Sequence, residues 1–124
     1  MTTDTSKSRG ERAPLSVVCT DCEVHKEVGD ANEAVAFYRR HRSITGHDVE
    51  WVRADGVPKV APEGDLKEVI AGLEGRFENG VPIGVVTAVT SERGRTIGET
   101  LSAIRELRMA GELYEPRDDR LQVT

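Results

Sequence analysis

Hydrophobic and polar positions follow two different periods along the chain, and a segment containing prolines and glycines separates the two stretches. In the first stretch, short apolar or alternating runs predict three strands, at residues 15–18, 24–28 and 48–53. Between the second and third runs, Asp30 and Glu33 have the spacing of a helix-capping box, and Gly46 is the residue type that ends helices. The first stretch therefore predicts the order ββαβ.

The second stretch begins with apolar residues at helical spacing. Asp65 and Glu68 form a second capping-box pair and predict a helix that continues to Gly80. Pro82 is expected to occupy the first position of a second helix, since proline lacks the N–H that this position leaves unused. That helix is expected near residues 83–92, where Gly94 follows and breaks the pattern.

A longer third helix and a hairpin complete the second stretch. Thr96 and Glu99 form a third capping-box pair, and Gly111 is expected to end the helix that they begin. Apolar residues on both sides of a turn at 116–120 predict two paired strands. Three helices followed by a β-hairpin wing are the order of a winged helix-turn-helix. The expected fold class of the chain is therefore α+β.

Composition limits the size of either core. Of the 124 residues, 37% are hydrophobic and only 4% aromatic, so each module would have a small core of the kind that a metal ion often stabilises. The N-terminus lacks the apolar core of a signal peptide, and no apolar stretch approaches the length of a membrane span. We expect a cytoplasmic protein with reduced cysteines and no membrane partner.

Candidate zinc ligands lie in the first stretch, at Cys19, Cys22, His41 and His47. A tight turn with two thiolates and a helix end with two imidazoles can supply the four ligands of a tetrahedral zinc ion, which would then be structural and not catalytic. The gap between the cysteines and the histidines is longer than in common zinc fingers, and His25 is a rival ligand. Two alternatives stay open: ordinary core cysteines, and a redox-active cysteine pair.

Four segments follow from these patterns: a disordered tail at 1–14, a zinc-finger-like module at 15–54, a linker at 55–64 and the winged helix-turn-helix at 65–124. The tail is polar and has no hydrophobic period. The linker contains two prolines and two glycines, which interrupt both helices and strands. We therefore expect the two modules to fold separately.

Two resemblances to known families rest on specific residues. His41-Arg-Ser-Ile-Thr-Gly-His47-Asp-Val, together with the Cys-x-x-Cys pair, resembles small haloarchaeal zinc-finger-like proteins. The second stretch resembles the C-terminal winged helix of the archaeal MCM replicative helicase. The matching segments are Glu78–Ile83, Ile104–Leu107 and Gly111–Pro116, with Asp119, Leu121, Val123 and Thr124. The resemblance implies an accessory domain without catalytic residues, and no phosphate-binding Gly-x-x-x-x-Gly-Lys-Ser/Thr motif occurs in the chain.

The polar side of the third helix and the wing carry the candidate contacts to nucleic acid, because these elements meet the groove and the backbone in winged helices. The candidates are Arg95, Ser102, Arg105, Arg108, Arg117 and Arg120. Another basic group lies at the end of the first module's helix, at Arg39, Arg40 and Arg42. The net charge of −5 opposes binding to phosphates, so weak, salt-sensitive binding is expected.

Two functions from different classes are compatible with these features. The first is that of a nucleic-acid-binding or regulatory protein. The second is that of a protein-interaction module at the replication or transcription machinery. No arrangement of residues typical of an active site can be identified, so we expect no enzymatic activity. A continuous positive surface from the third helix to the wing would favour nucleic acid, whereas a mixed surface with exposed apolar side chains would favour a protein partner.

Overall fold

A computed structural model describes residues 15–58 and 64–124. Within these residues the protein is 48% helical and 24% strand, which confirms the expected α+β class. The expected tail at 1–14 lies outside the described residues, as do residues 59–63 of the expected linker. No helix in the described ranges is long and apolar enough to cross a membrane.

The N-terminal half consists of three strands and one helix. Their bounds are β1 Leu15–Cys19, β2 Val24–Glu27, α1 Ala31–Thr45 and β3 Glu50–Ala54. The strands form an antiparallel sheet in the order β2-β1-β3. Helix α1 begins where the Asp30 carboxylate accepts a hydrogen bond of 2.8 Å from the Glu33 N–H. It ends at Gly46, whose φ of 80° is in the left-handed region that glycine adopts readily.

The C-terminal half contains three helices and a second three-stranded sheet. Its elements are α2 Leu66–Leu73, β4 Val81–Pro82, α3 Ile83–Thr90, α4 Ile97–Met109, β5 Leu113–Arg117 and β6 Arg120–Val123. The strands pair in the order β4-β6-β5, so β6 lies in the centre. Both expected capping boxes of this half, Asp65/Glu68 and Thr96/Glu99, are present with reciprocal hydrogen bonds.

Three boundaries differ from the sequence expectation. Helix α2 ends at Leu73 and continues only as a 3₁₀ turn, Glu74–Arg76, because the glycines at 72 and 75 weaken helical conformation. Helix α3 similarly ends at Thr90 and is followed by a 3₁₀ turn. The turn of the C-terminal hairpin is shorter than expected, since β5 extends to Arg117 and β6 begins at Arg120.

Pro82 was expected at the first position of the helix. In the structure it lies one position earlier, directly before Ile83. It belongs to β4, where Val81 faces Leu121 and Pro82 faces Arg120 on β6. An edge strand tolerates a proline because one side of the strand needs no backbone donor. A two-residue strand carries too little pattern to be recognised from the sequence, which is why β4 was missed.

The hydrophobic core crosses the boundary between the two halves. Ala31 and Val35 on α1 belong to a cluster of buried residues that otherwise comes from the C-terminal half, including Ile70 and Val86. Ile97 on α4, in turn, packs in a cluster whose other buried residues all come from the N-terminal half, including Leu15 and Val17 on β1. Because each cluster contains residues of both halves, this packing favours one cooperative unit over separately folding modules.

Buried and half-buried polar contacts fix the orientation of the halves. The Trp51 indole N–H donates to the Thr87 hydroxyl over 3.0 Å, and the Gly84 N–H donates to the Asn32 side chain over 2.7 Å. The Ile97 N–H donates to the carbonyl of Val49 over 3.0 Å. Each bond joins a residue of the N-terminal half to one of the C-terminal half. Separation of the halves would break these hydrogen bonds and replace them by hydrogen bonds to water, so the bonds favour the packed arrangement.

Helices α1 and α3 approach closely at Gly84. A Cβ atom at this position would overlap the backbone carbonyl of Ala31 and the backbone nitrogen of Asn32. Backbone atoms of a packed helix move only with the helix, so a side chain at Gly84 would force α1 and α3 apart.

Gly84→Ala should therefore lower the free energy of unfolding by about 1–3 kcal/mol, even though alanine favours helical conformation more than glycine does. Denaturant titration measures this change. Gly75→Ala is the matched control, because no atom lies within 4 Å of a Cβ there, and it should cause no loss. Equal stability of the Gly84 variant and the wild type would contradict the described helix packing.

Candidate metal centre

Three neighbouring segments carry the four expected zinc ligands. Cys19 is the last residue of β1, and Cys22 lies in the turn that leads to β2. That turn is tight, because the Glu23 N–H donates to the carbonyl of Cys19 over 2.7 Å. His41 lies in the last turns of α1, and His47 follows Gly46, whose left-handed conformation ends the helix. The expected β-turn and helix end therefore supply the two thiols and the two imidazoles.

The four ligand atoms lie within 4.8 Å of one another. The Cys19 Sγ–His47 Nδ1 distance is 3.6 Å, and the Cys22 Sγ–His41 Nε2 distance is 3.7 Å. Tetrahedral zinc with ordinary bond lengths would place sulfur and nitrogen ligands about 3.6 Å apart. The Cys22 Sγ–His47 Nδ1 distance of 2.9 Å is shorter and would have to lengthen on coordination. The group is close enough to bind a metal ion, and its two-sulfur, two-nitrogen donor set is one that zinc favours.

Local contacts orient the two histidines. The ring of Phe37 stacks on His41 with a centroid distance of 5.4 Å. The Thr45 hydroxyl donates to the His41 carbonyl over 2.7 Å and accepts from the His47 N–H over 3.1 Å. The Thr45 bonds fix the backbone between His41 and His47. Contacts of this kind around a metal site hold its ligands in position before the metal binds. The rival ligand His25 is exposed on β2 and does not belong to the group of four.

The Cys22 thiol is exposed, whereas Cys19 is buried. Desolvation by nearby protein atoms, the neighbouring Cys19 and the carboxylate of Asp21 together raise the pKa of the Cys22 thiol above its ordinary value. The metal-free thiol therefore holds its proton at neutral pH, and a metal ion must displace that proton to bind. Metal affinity should consequently increase as the pH rises toward the thiol pKa.

The six expected nucleic-acid contacts do not form one uniform surface. Arg120 Nη1 donates to the carbonyls of Glu78 and Gly80 over 3.0 and 2.9 Å, so this arginine holds the loop before β4. Arg108 forms an ion pair of 3.1 Å with Glu115. The side chains of Arg95, Arg105 and Arg117 are exposed and have no ion-pair partner among residues 15–58 and 64–124.

Two of these arginines line a groove between α1 and α4. The groove has a volume of about 410 Å³ and is lined by Arg39, Arg105 and Arg108, with the hydroxyls of Tyr38 and Ser102. No carboxylate is among its lining residues. We call it the arginine groove. Arg39 reaches it from α1 and forms a 3.1 Å ion pair with Asp119 at the hairpin turn. Its place in the groove depends on the packing of α1 beside α4, which the sequence pattern did not predict.

The side of α4 that faces solvent has a different character. Glu99, Ser102, Glu106 and Met109 recur at helical spacing and are all exposed. Met109 is 79% exposed, and Tyr114 on the neighbouring strand β5 is 44% exposed. A second groove, of about 550 Å³, lies between α4 and β5 and mixes arginines with Glu115 and Asp118. The arginines of α4 therefore share its surface with acidic and apolar side chains.

Two family models match the chain, and they divide it as the two halves do. The model described as HVO_B0008 N-terminal matches residues 16–53, and the HVO_B0008 C-terminal domain matches residues 71–121. Together the matches span more than half of the chain. The chain belongs to the HVO_B0008 family. This is a haloarchaeal family, which agrees with the resemblance seen in the first half.

The N-terminal family domain contains all four candidate ligands. No curated protein and no solved structure matches the chain. Neither family model refers to the MCM helicase, so that resemblance stays a prediction from the sequence.

Metal analysis of the protein, purified without chelator, should find about one zinc ion per chain. Replacing Cys22 by serine or His47 by alanine should lower the metal content, because each change removes one of the four ligands. His25→Ala is the matched control and should retain it. Loss of zinc in the His25 variant with full retention in the His47 variant would show that the fourth ligand is assigned wrongly.

Proposed function

We propose that this protein is a non-enzymatic nucleic-acid-binding or regulatory protein with a structural zinc site. Four protein ligands would close the coordination shell of zinc, leaving no open position for a substrate. The ion would tie the turn after β1 to the end of α1. Bound in this way, zinc would add to the folding free energy of the chain.

The order of elements in residues 66–123 supports the proposal that this half is a winged helix-turn-helix similar to the C-terminal domain of the MCM helicase. Helices α2, α3 and α4 are followed by the β5-β6 hairpin, and β4 pairs with that hairpin between α2 and α3. In this fold α4 would be the recognition helix and the hairpin the wing.

The observation that carries the nucleic-acid proposal is the arginine groove. Arg39, Arg105 and Arg108 line it in a protein whose net charge is −5. Arg39 and Arg108 also pair with Asp119 and Glu115, which lie outside its lining, whereas Arg105 has no ion-pair partner among the residues that the structure describes. Guanidinium groups bind phosphate oxygens in bidentate fashion, and such contacts position a duplex without reading its sequence. The acidic residues on the outward side of α4, Glu99 and Glu106, disfavour insertion of that side into a major groove. We therefore expect weak binding to the phosphate backbone.

The protein-interaction function is the second candidate, and the exposed side of α4 favours it. Met109 and Tyr114 are large apolar or aromatic side chains, and Glu106 lies on the same exposed side of α4 as Met109. A mixed surface of this kind suits a protein partner, such as a component of the replication or transcription machinery, better than nucleic acid.

Titration with a labelled duplex tests the nucleic-acid proposal. Saturable binding is expected with a dissociation constant of roughly 10⁻⁴ to 10⁻⁶ M, and affinity should fall steeply as salt is added. Arg105→Ala combined with Arg108→Ala should weaken binding by at least about tenfold, because two phosphate contacts would be lost.

Arg53→Ala combined with Arg76→Ala is the matched control. Both residues are exposed and lie outside the lining of the arginine groove, and the change removes the same amount of charge. Equal losses in the two double variants would show that net charge matters and the groove does not. Absence of saturable binding would favour the protein-interaction function.

A further inference from the structure

We propose that Asp48 couples the metal centre to the start of α4, so that zinc affinity depends on a contact in the C-terminal half. Asp48 directly follows the candidate ligand His47 in the chain. Its carboxylate reaches α4, which begins about fifty residues later, and both of its oxygens accept hydrogen bonds there. The inference rests on the proposed zinc site, but it is independent of nucleic-acid binding.

The contact is built from specific polar groups. Asp48 Oδ1 accepts from the Gly98 N–H over 2.8 Å, and Oδ2 accepts from the Thr96 hydroxyl over 2.6 Å. Oδ1 also accepts from the Val49 N–H over 2.7 Å, which orients the carboxylate. The Thr96 hydroxyl in turn accepts from the Glu99 N–H as the cap of α4. One hydroxyl thus joins the cap of the helix to the residue beside the metal ligand.

A carboxylate is favourable at this position for two reasons. The first N–H groups of a helix lack partners within the helix, and the N-terminal end of the helix dipole attracts negative charge. Asp48 meets both conditions from another part of the chain. A hydrogen bond to a charged acceptor in a half-buried place is also stronger than one between neutral groups.

The packing leaves little freedom at the contact. A Cβ atom at Gly98 would meet the Asp48 carboxylate and the Tyr38 hydroxyl within 3 Å, so the close approach requires glycine. The next residue after Asp48 adds a further bond, since the Val49 carbonyl accepts from the Ile97 N–H. A segment of three residues therefore connects the two sites. It begins with the candidate metal ligand His47, and its next two residues, Asp48 and Val49, bind the start of α4.

Coupling between two sites is reciprocal in binding free energy. If zinc fixes His47, it also fixes the backbone beside Asp48 and favours the bonds to Thr96 and Gly98. Conversely, those bonds hold His47 in place for zinc. A change at Thr96, which is not among the metal ligands, should consequently weaken zinc binding. A metal centre that acted only within the N-terminal half would not respond to such a change.

Zinc affinity, measured by competition with a coloured chelator, tests the proposal. We compare the wild type with Thr96→Val, Asp48→Asn and the double variant, after circular dichroism has shown that each is folded. Each single change should lower the affinity by at least about fivefold. The double variant should lose about as much as one single variant, because both changes break the same contact. Thr124→Val is the matched control at a distant hydroxyl and should bind as the wild type does.

The outcomes separate this proposal from that of the zinc site itself. A wild type that binds no zinc would overturn both proposals. A wild type that binds zinc, with an affinity unchanged by Thr96→Val, would overturn the coupling alone. Losses that multiply in the double variant would also overturn it, because they would show that Asp48 and Thr96 act independently. If the Asp48 variant does not fold, the comparison of Thr96→Val with Thr124→Val decides the question.

Discussion

The packing of α1 against α3 is the contact on which the rest of the structure depends. The helices approach so closely at Gly84 that the backbone of Ala31 leaves no space for a side chain. This approach carries Ala31 and Val35 into the core of the C-terminal half. A chain with only 37% hydrophobic residues gains a larger shared core by this packing than two separate modules would have.

Both candidate sites follow from that packing. Because α1 lies beside α4, Arg39 joins Arg105 and Arg108 around one groove, although Arg39 and Arg108 each also pair with a carboxylate outside its lining. The same arrangement brings the segment after α1 to the start of α4, where Asp48 binds Gly98 and Thr96. The metal ligand His47 is therefore linked to the surface proposed for nucleic acid. The link runs through the next residue, Asp48, and along α4, which carries Arg105 and Arg108.

Local features of the fold could be predicted from the sequence, and features that depend on distant contacts could not. The capping pair Asp65/Glu68 located the start of α2, because the signal lies within four residues. The spacing of Cys19, Cys22, His41 and His47 likewise identified a group that the structure brings together. In contrast, β4 was missed because two residues carry no period.

The use of Arg120 as a structural residue was also missed. Its partners are the backbone carbonyls of Glu78 and Gly80, about forty residues earlier in the chain. Acceptors on the backbone leave no trace in the side-chain pattern. The shared core could not be predicted for a different reason. Ala31, Ala34 and Val35 are small apolar residues that fit either the core of a separate module or an interface between the halves. Only the position of α3 decides between those possibilities.

Thermal unfolding followed by two signals tests most directly whether the halves form one cooperative unit that includes the metal centre. Trp51 is the single tryptophan, and its indole N–H binds Thr87 across the boundary, so its fluorescence reports on the interface. Circular dichroism reports on the helices of both halves. If the halves form one unit, the two transitions coincide and a chelator shifts both by the same amount. Two separate transitions, with the chelator moving only the fluorescence signal, would contradict it.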